Sequence, residues 1–281
     1  KTHSQIMMPA VEEMFKIAQI SPKDIDCFAA AVGPGSFTGV RIGVATAKNI
    51  VGPYTDQGII VKSDFFSVAN AIDPSVFIDQ EGKLRLTYGS FAGGIMLLEL
   101  DKTTGKPLPN QGEGKLIATR GAGVGEEGPY IIYNPEFKKY YLFVSYDSFM
   151  TDYSIRVGRA DNVEGPYFDM NGRKMTDFPY SKDLPPDVDI ISADIGYKMM
   201  GGYIFSNAKD YWLAPGHNSV LNDNGNWYLC HHARPSNDKN WPYLHIRKIL
   251  WSDDGWPMAN AERYAGEIEQ PIPQDKVISD N

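Results

Sequence analysis

Cysteine is nearly absent from this chain. Cys27 and Cys230 are the two in 281 residues, and they lie too far apart in sequence to form metal-ligand spacing, so two free thiols are the plain reading. Positive charge is also short: 27 Lys and Arg against 35 Asp and Glu give a net charge of −8. That balance excludes phosphate-backbone binding as the main task, which needs a basic face. No apolar run approaches the roughly 18 residues of a membrane span. The sequence opens on Lys1 without a signal peptide; it reads as a piece of something longer, so its compartment is unknown from the chain itself. These absences leave no nucleic-acid, membrane or protein partner to expect.

Aromatic residues are plentiful, at 12%, with 16 Tyr and 5 Trp. Such side chains suit sheet surfaces and sugar-binding clefts. The 42% hydrophobic and 22% charged content is ordinary for a soluble globular chain, and the length allows one large domain or two small ones.

The chain falls into two unlike parts. Residues 5–19 carry Ile6, Val11, Met14, Phe15 and Ala18 at helical spacing, ended by Ser21-Pro22, and an apolar run at Ile25 to Val32 follows. Beyond residue 50 short runs such as SVFID, LRLTYGS, YIIY, YYLFVSYD, SVLND and WYLCHHA are separated by Gly, Asn, Asp and Pro. That is the pattern of strands and turns, with no helix of convincing length.

The larger part repeats. IGVATAKNIVGPYTDQG (42–58) aligns without a gap on IRVGRADNVEGPYFDMNG (155–172) through Gly-Pro-Tyr and the Asp beyond it. The spacing is about two blades of a four-stranded propeller, whose repeats run ~40–50 residues, and it predicts a strand at 42–47. At about half that spacing IDPSVFID (72–79), EGPYIIYN (127–134) and PGHNSVLND (215–223) form a second series. If these are the innermost strands of successive blades, their first residues meet at the axis. Asp73, Glu127 and His217 then share one pocket. Singly, Asp73 reads as a turn former, Glu127 as a solvated loop charge and His217 as a hydrogen-bonded core residue; three equivalent positions favour a site. Two carboxyl groups in an aromatic-lined pocket suit glycosidic bond cleavage, one acid protonating the leaving oxygen.

The segments 70–101, 126–147, 155–167, 212–235 and 244–267 resemble, in order, glycoside hydrolase family 43, and most closely its arabinan endo-1,5-α-L-arabinanases. The resemblance implies a five-bladed β-propeller hydrolysing arabinan or arabino-oligosaccharide by inversion with three acids. It makes Asp73, in Ile-Asp-Pro, the residue that tunes and orients the acid. It makes Glu127, rather than Glu126, the general acid. His217, in Pro-Gly-His-Asn, would face a hydrated metal ion, usually calcium, and no organic cofactor is implied. Ser90, Phe91 and Arg247 fall on segments lining the family's cleft. Family members are usually extracellular or periplasmic.

One departure stands out. The family's general base is an aspartate on its first blade in a His-Asp-Pro-like motif, and no such motif precedes residue 42. In its place HSQIMMPAVEEMFKIAQISPKDIDCFAAAVGPGSFTGVRIGVATAK (3–48) resembles part of the YeaZ/TsaB-type accessory protein of tRNA threonylcarbamoyl modification, through its Gly-Pro-Gly-Ser-Phe-Thr-Gly-Val-Arg-Ile-Gly signature at 33–43. The two likenesses meet at IGVATAK, so the chain reads as a junction. The expectation is a mainly β chain: a leader at 1–41, with a helix, a strand and a Gly-rich loop, then a truncated propeller at 42–281 with about three blades complete. Arabinan hydrolysis would be impaired for want of the base. The alternatives are a non-catalytic arabino-oligosaccharide-binding propeller and a YeaZ/TsaB-like interaction protein.

Overall fold

A computed structural model describes residues 59–121, 124–177, 194–204, 209, 211–238 and 240–264. The helix expected at 5–19, the strand expected at 42–47 and the 41/42 boundary lie outside these residues. No α-helix occurs among the described residues, and twelve strands do.

Turn chemistry sets the strand ends. Asp79 closes the first hairpin by accepting the N–H groups of Glu81 and Lys83 on Oδ1, at 3.0 and 2.9 Å. Gly82 supplies the left-handed φ of 76° that this turn requires. Asn224 and Gly225 both have positive φ, 51° and 89°, the geometry of a two-residue hairpin loop whose twist matches its strands.

Three antiparallel sheets of four strands result, each wound in simple chain order. The first is β1 (Ser75–Ile78), β2 (Leu84–Tyr88), β3 (Ile95–Leu100) and β4 (Lys115–Ala118). The second is β5 (Glu126–Asn134), β6 (Lys139–Tyr146), β7 (Ser154–Ala160) and β8 (Tyr197–Met200). The third is β9 (Trp212–Asp223), β10 (Asn226–Pro235), β11 (Tyr243–Trp251) and β12 (Pro257–Ala259). The repeated segments are therefore the opening strands β1, β5 and β9, as their spacing predicts. The third sheet follows the second at a longer interval because the connection from β7 to β8 spans 161–196. Strand β5 touches both β1 and β9, which sets the three opening strands side by side.

Alternation along β6 shows how the sheets stack. Leu142, Val144 and Tyr146 join Ile95, Leu97 and Ile117 of the first sheet in one cluster. Tyr141 and Phe143, pointing the other way, join Val220, Leu229 and Ile249 of the third. A strand covered on both faces must be apolar at every position, which is why KYYLFVSY reads as a continuous run. The outer flank of the first sheet has its own smaller cluster of Leu86, Tyr88, Met96 and Leu98.

Candidate active site

The opening strands deliver equivalent triplets to one cavity of about 140 Å³: Asp73-Pro74-Ser75, Gly128-Pro129-Tyr130 and His217-Asn218-Ser219. The first residue of each triplet sits in left-handed backbone, with φ of 55° at Asp73, 61° at Gly128 and 50° at His217. For Asp and His this conformation is strained, and such residues cluster at functional sites. In the second and third sheets the register also slips by one residue here, between Glu127 and Tyr130 and between Gly216 and Ser219. These bulges re-aim the side chains beside them.

The equivalence corrects the alignment of the repeat by one position. Gly128, and not Glu127, is the counterpart of Asp73 and His217; Glu127 stands one place earlier, opposite Ile72 and Gly216. The glycine has a steric reason as well as a backbone one, since a Cβ on it would lie 3.2 Å from the His217 ring.

The structure brings Asp73, Glu127, His217 and Ser90 together. Asp73 Oδ1 lies 3.9 Å from His217 Nε2, and its Oδ2 accepts the Gly128 N–H at 3.2 Å. Burial raises the Asp73 pKa; the nearby His217 lowers it, the Glu127 charge adds to the rise, and the Gly128 N–H opposes it, leaving the carboxyl above its ordinary value. The Glu127 carboxylate accepts hydrogen bonds from Ser90 Oγ at 2.8 Å on Oε2 and from the Tyr153 hydroxyl at 2.6 Å on Oε1. Its neighbour Glu126 points the opposite way along β5 and is buried with Arg120 and Tyr146, so alternation separates the two acids. His217 is anchored through its own N–H, which donates to Ser145 Oγ at 2.7 Å. Phe91, next to Ser90, is 41% exposed, and its N–H donates to the Glu126 carbonyl at 2.8 Å.

Arg247 does not join them. It was expected on the cleft wall, yet it is 0% exposed on β11. Its Nε donates to His231 Nε2 at 3.1 Å and one Nη1 bond reaches the Asn260 carbonyl at 3.0 Å. Its remaining nitrogen donates to the Tyr203 hydroxyl, and the guanidinium stacks on that ring at 4.9 Å. A guanidinium so enclosed has its donors taken up within the protein.

Three residues not chosen from the sequence also shape the site: Tyr153, Ser145 and Asn218. Tyr153 lies in a turn with no counterpart in the repeats. Asn218 is buried with both amide atoms unpartnered among the described residues, as is His217 Nδ1. No group of three His, Cys, Asp or Glu able to hold a metal occurs among the described residues. A calcium ion takes 6–8 oxygen ligands, so a directly coordinated ion does not fit. The unpartnered polar atoms around the cavity do fit an ion held through its own water shell.

A sequence model of glycosyl hydrolases family 43 matches residues 28–186, more than half the chain. The chain belongs to glycosyl hydrolases family 43. The family 43 match begins at residue 28, before the 41/42 boundary expected from the sequence. An extracellular endo-alpha-(1->5)-L-arabinanase 2 of Bacillus subtilis is 37% identical over 255 residues, covering 84% of this chain and 54% of that protein. A family 43 glycoside hydrolase of Bacillus licheniformis matches in structure with a TM-score of 0.70 at 39% identity, covering 77% of this chain and 52% of that one. An alpha-L-arabinanase of Cellvibrio cellulosa, solved with arabinohexaose, matches at a TM-score of 0.59 and 29% identity, covering 72% of this chain and 61% of that one. This family 43 chain thus spans about half the length of the first two.

Proposed function

We propose that this family 43 chain carries the acid half of an arabinan-hydrolysing site in a β-propeller of the five-bladed kind. The observation that carries the reading is the meeting of Asp73, Glu127 and His217 from successive sheets, with Asp73 3.9 Å from His217 and bonded to the residue after Glu127. Glu127 serves as general acid and gives its proton to the leaving glycosidic oxygen as the anomeric C–O bond breaks. Asp73 acts on it through the backbone: by accepting the Gly128 N–H it fixes the chain beside the acid. A hydrated calcium ion would be held through water by His217 and Asn218 and would supply positive charge on the axis. The exposed Phe91 serves as a sugar contact, and Ser90 acts through Glu127.

Inversion also requires a base that activates water on the far side of the sugar. The carboxyl groups that the described residues bring together here are those of Asp73 and Glu127, so this chain alone is proposed to turn over arabinan slowly. General-base assistance is typically worth 10²–10⁴-fold. Incubation with debranched arabinan tests this: turnover equal to that of an intact arabinanase would refute the impairment, while binding of arabino-oligosaccharide with no product at all would favour the non-catalytic reading. The leader at 1–41 is proposed as a segment of separate origin in its part ahead of residue 28, where the family 43 match begins. The place of action is proposed to be outside the cell, as the name of the Bacillus subtilis relative says of that protein.

A further inference from the structure

The Glu127 carboxylate has a second neighbour that the reaction scheme does not use. Tyr153 is 0% exposed and donates its hydroxyl to Oε1 at 2.6 Å. Its ring is held by two neighbours. It stacks on His232, with centroids 5.7 Å apart and planes at 23°. Gly216, the register partner of His232, also lies against it: a Cβ there would fall 2.1 Å from the ring, closer than any non-bonded contact real atoms make. Gly216 immediately precedes His217, so the Pro-Gly-His run seats the tyrosine with one residue and the histidine with the next. Backbone restraint completes the setting, because the Tyr153 N–H donates to the Ser148 carbonyl at 2.9 Å.

We infer that Tyr153 is the positioning residue for the acid: its hydroxyl holds Oε1 against the protein interior and leaves Oε2, on the side of Ser90 and the exposed Phe91, as the oxygen that releases the proton. The phenol also bonds the Ser145 side chain, and buried in this way it can donate to a carboxylate but gives up its own proton reluctantly. Burial and the Glu127 charge both push the Tyr153 hydroxyl well above its ordinary pKa. The inference rests on the reading of Glu127 as the acid.

The test is an infrared one and needs no turnover. In the full chain, the carboxylate band of Glu127 is assigned as the one lost in Glu127→Gln. Tyr153→Phe, which removes one oxygen atom, is expected to displace that band without abolishing it. Gly216→Ala is expected to displace it likewise although the phenol is retained, because the added methyl drives the ring away. A band unmoved in Tyr153→Phe overturns the inference, whatever the activity. Arabinan turnover that survives Glu127→Gln would reject the acid role instead, and the band shift would still report on the tyrosine contact.

Discussion

The second sheet and its two neighbours are built from the same hairpins but face different surroundings. Strand β6 is buried on both faces, every residue from Tyr140 to Tyr146 being inside. Strand β11 is buried on one: His245, Arg247 and Ile249 are inside, while Leu244 is 73% exposed. On β1 likewise Ile78 is 65% exposed. The apolar content of these strands is similar, so composition does not decide burial. Position in the row of sheets does. It also explains why the site is framed by the second sheet, whose opening strand packs against both of the others.

Mutation should break this contrast most sharply in the core. Phe143→Ala, in the cluster between the second and third sheets, is expected to lose roughly 3–5 kcal/mol of stability. Leu244→Ala should stay within about 0.5 kcal/mol. Urea unfolding of both, under one set of conditions, measures the difference.

The first sheet relies on a buried ion pair. Arg85 Nε donates to Asp79 Oδ2 at 2.7 Å, with side chains 5% and 0% exposed. Burial of Asp79 works to raise its pKa, but the Arg85 and backbone hydrogen bonds and the Arg85 charge win, and the carboxyl is held below its ordinary value. A lowered folded pKa stabilises above the unfolded value and is lost as pH falls through the folded one. Asp79→Asn should therefore lose roughly 3 kcal/mol at neutral pH. The penalty should shrink below about pH 4, as unfolding at several pH values would show.

Glu126 in the second sheet has the opposite sign. Burial lifts its carboxyl to about 8, against the pull of Arg120. A raised folded pKa gives stability that is complete below the unfolded value and lost as pH rises through the folded one. The window runs from about 4.5 to about 8. Glu126→Gln should flatten the fall in stability across that window and make the protein the more stable of the two at its upper end. Equal slopes in the two proteins would count against it. A smaller loss than in the core is expected at the site itself: Gly128→Ala, at φ 61°, should cost roughly 1–2 kcal/mol.

Much of the described fold could be read in the sequence because turn residues and period-two apolar patterns act locally. Asp79, Gly82, Asn224 and Gly225 announce their hairpins by chemistry alone, and the recurring strand starts announce which strands share an axis. The choice of Glu127 over Glu126 came from the family resemblance alone; alternation along a strand says that the two point to opposite faces, without saying which faces the cavity. Three things were not readable from the sequence. The one-residue offset that makes Gly128 the counterpart of Asp73 depends on bulges, which insert a residue without any sequence mark. Arg247 sits in a segment of the right kind, yet its enclosure by His231 and Tyr203 is a matter of tertiary packing. Tyr153 belongs to a turn outside the repeats, and its contact with Glu127 is set by a glycine 63 positions further along the chain.

The central claim is that Glu127 protonates a glycosidic oxygen within this cluster, and supplying azide as the nucleophile tests it most directly. Azide would attack the anomeric carbon of debranched arabinan as Glu127 protonates the leaving oxygen, giving a β-arabinofuranosyl azide from the α-linkage. The prediction is azide-dependent formation of that product by the 281-residue chain, reduced at least ~100-fold in Glu127→Gln. Product that forms equally well in the variant, or an α-configured azide, would contradict the account.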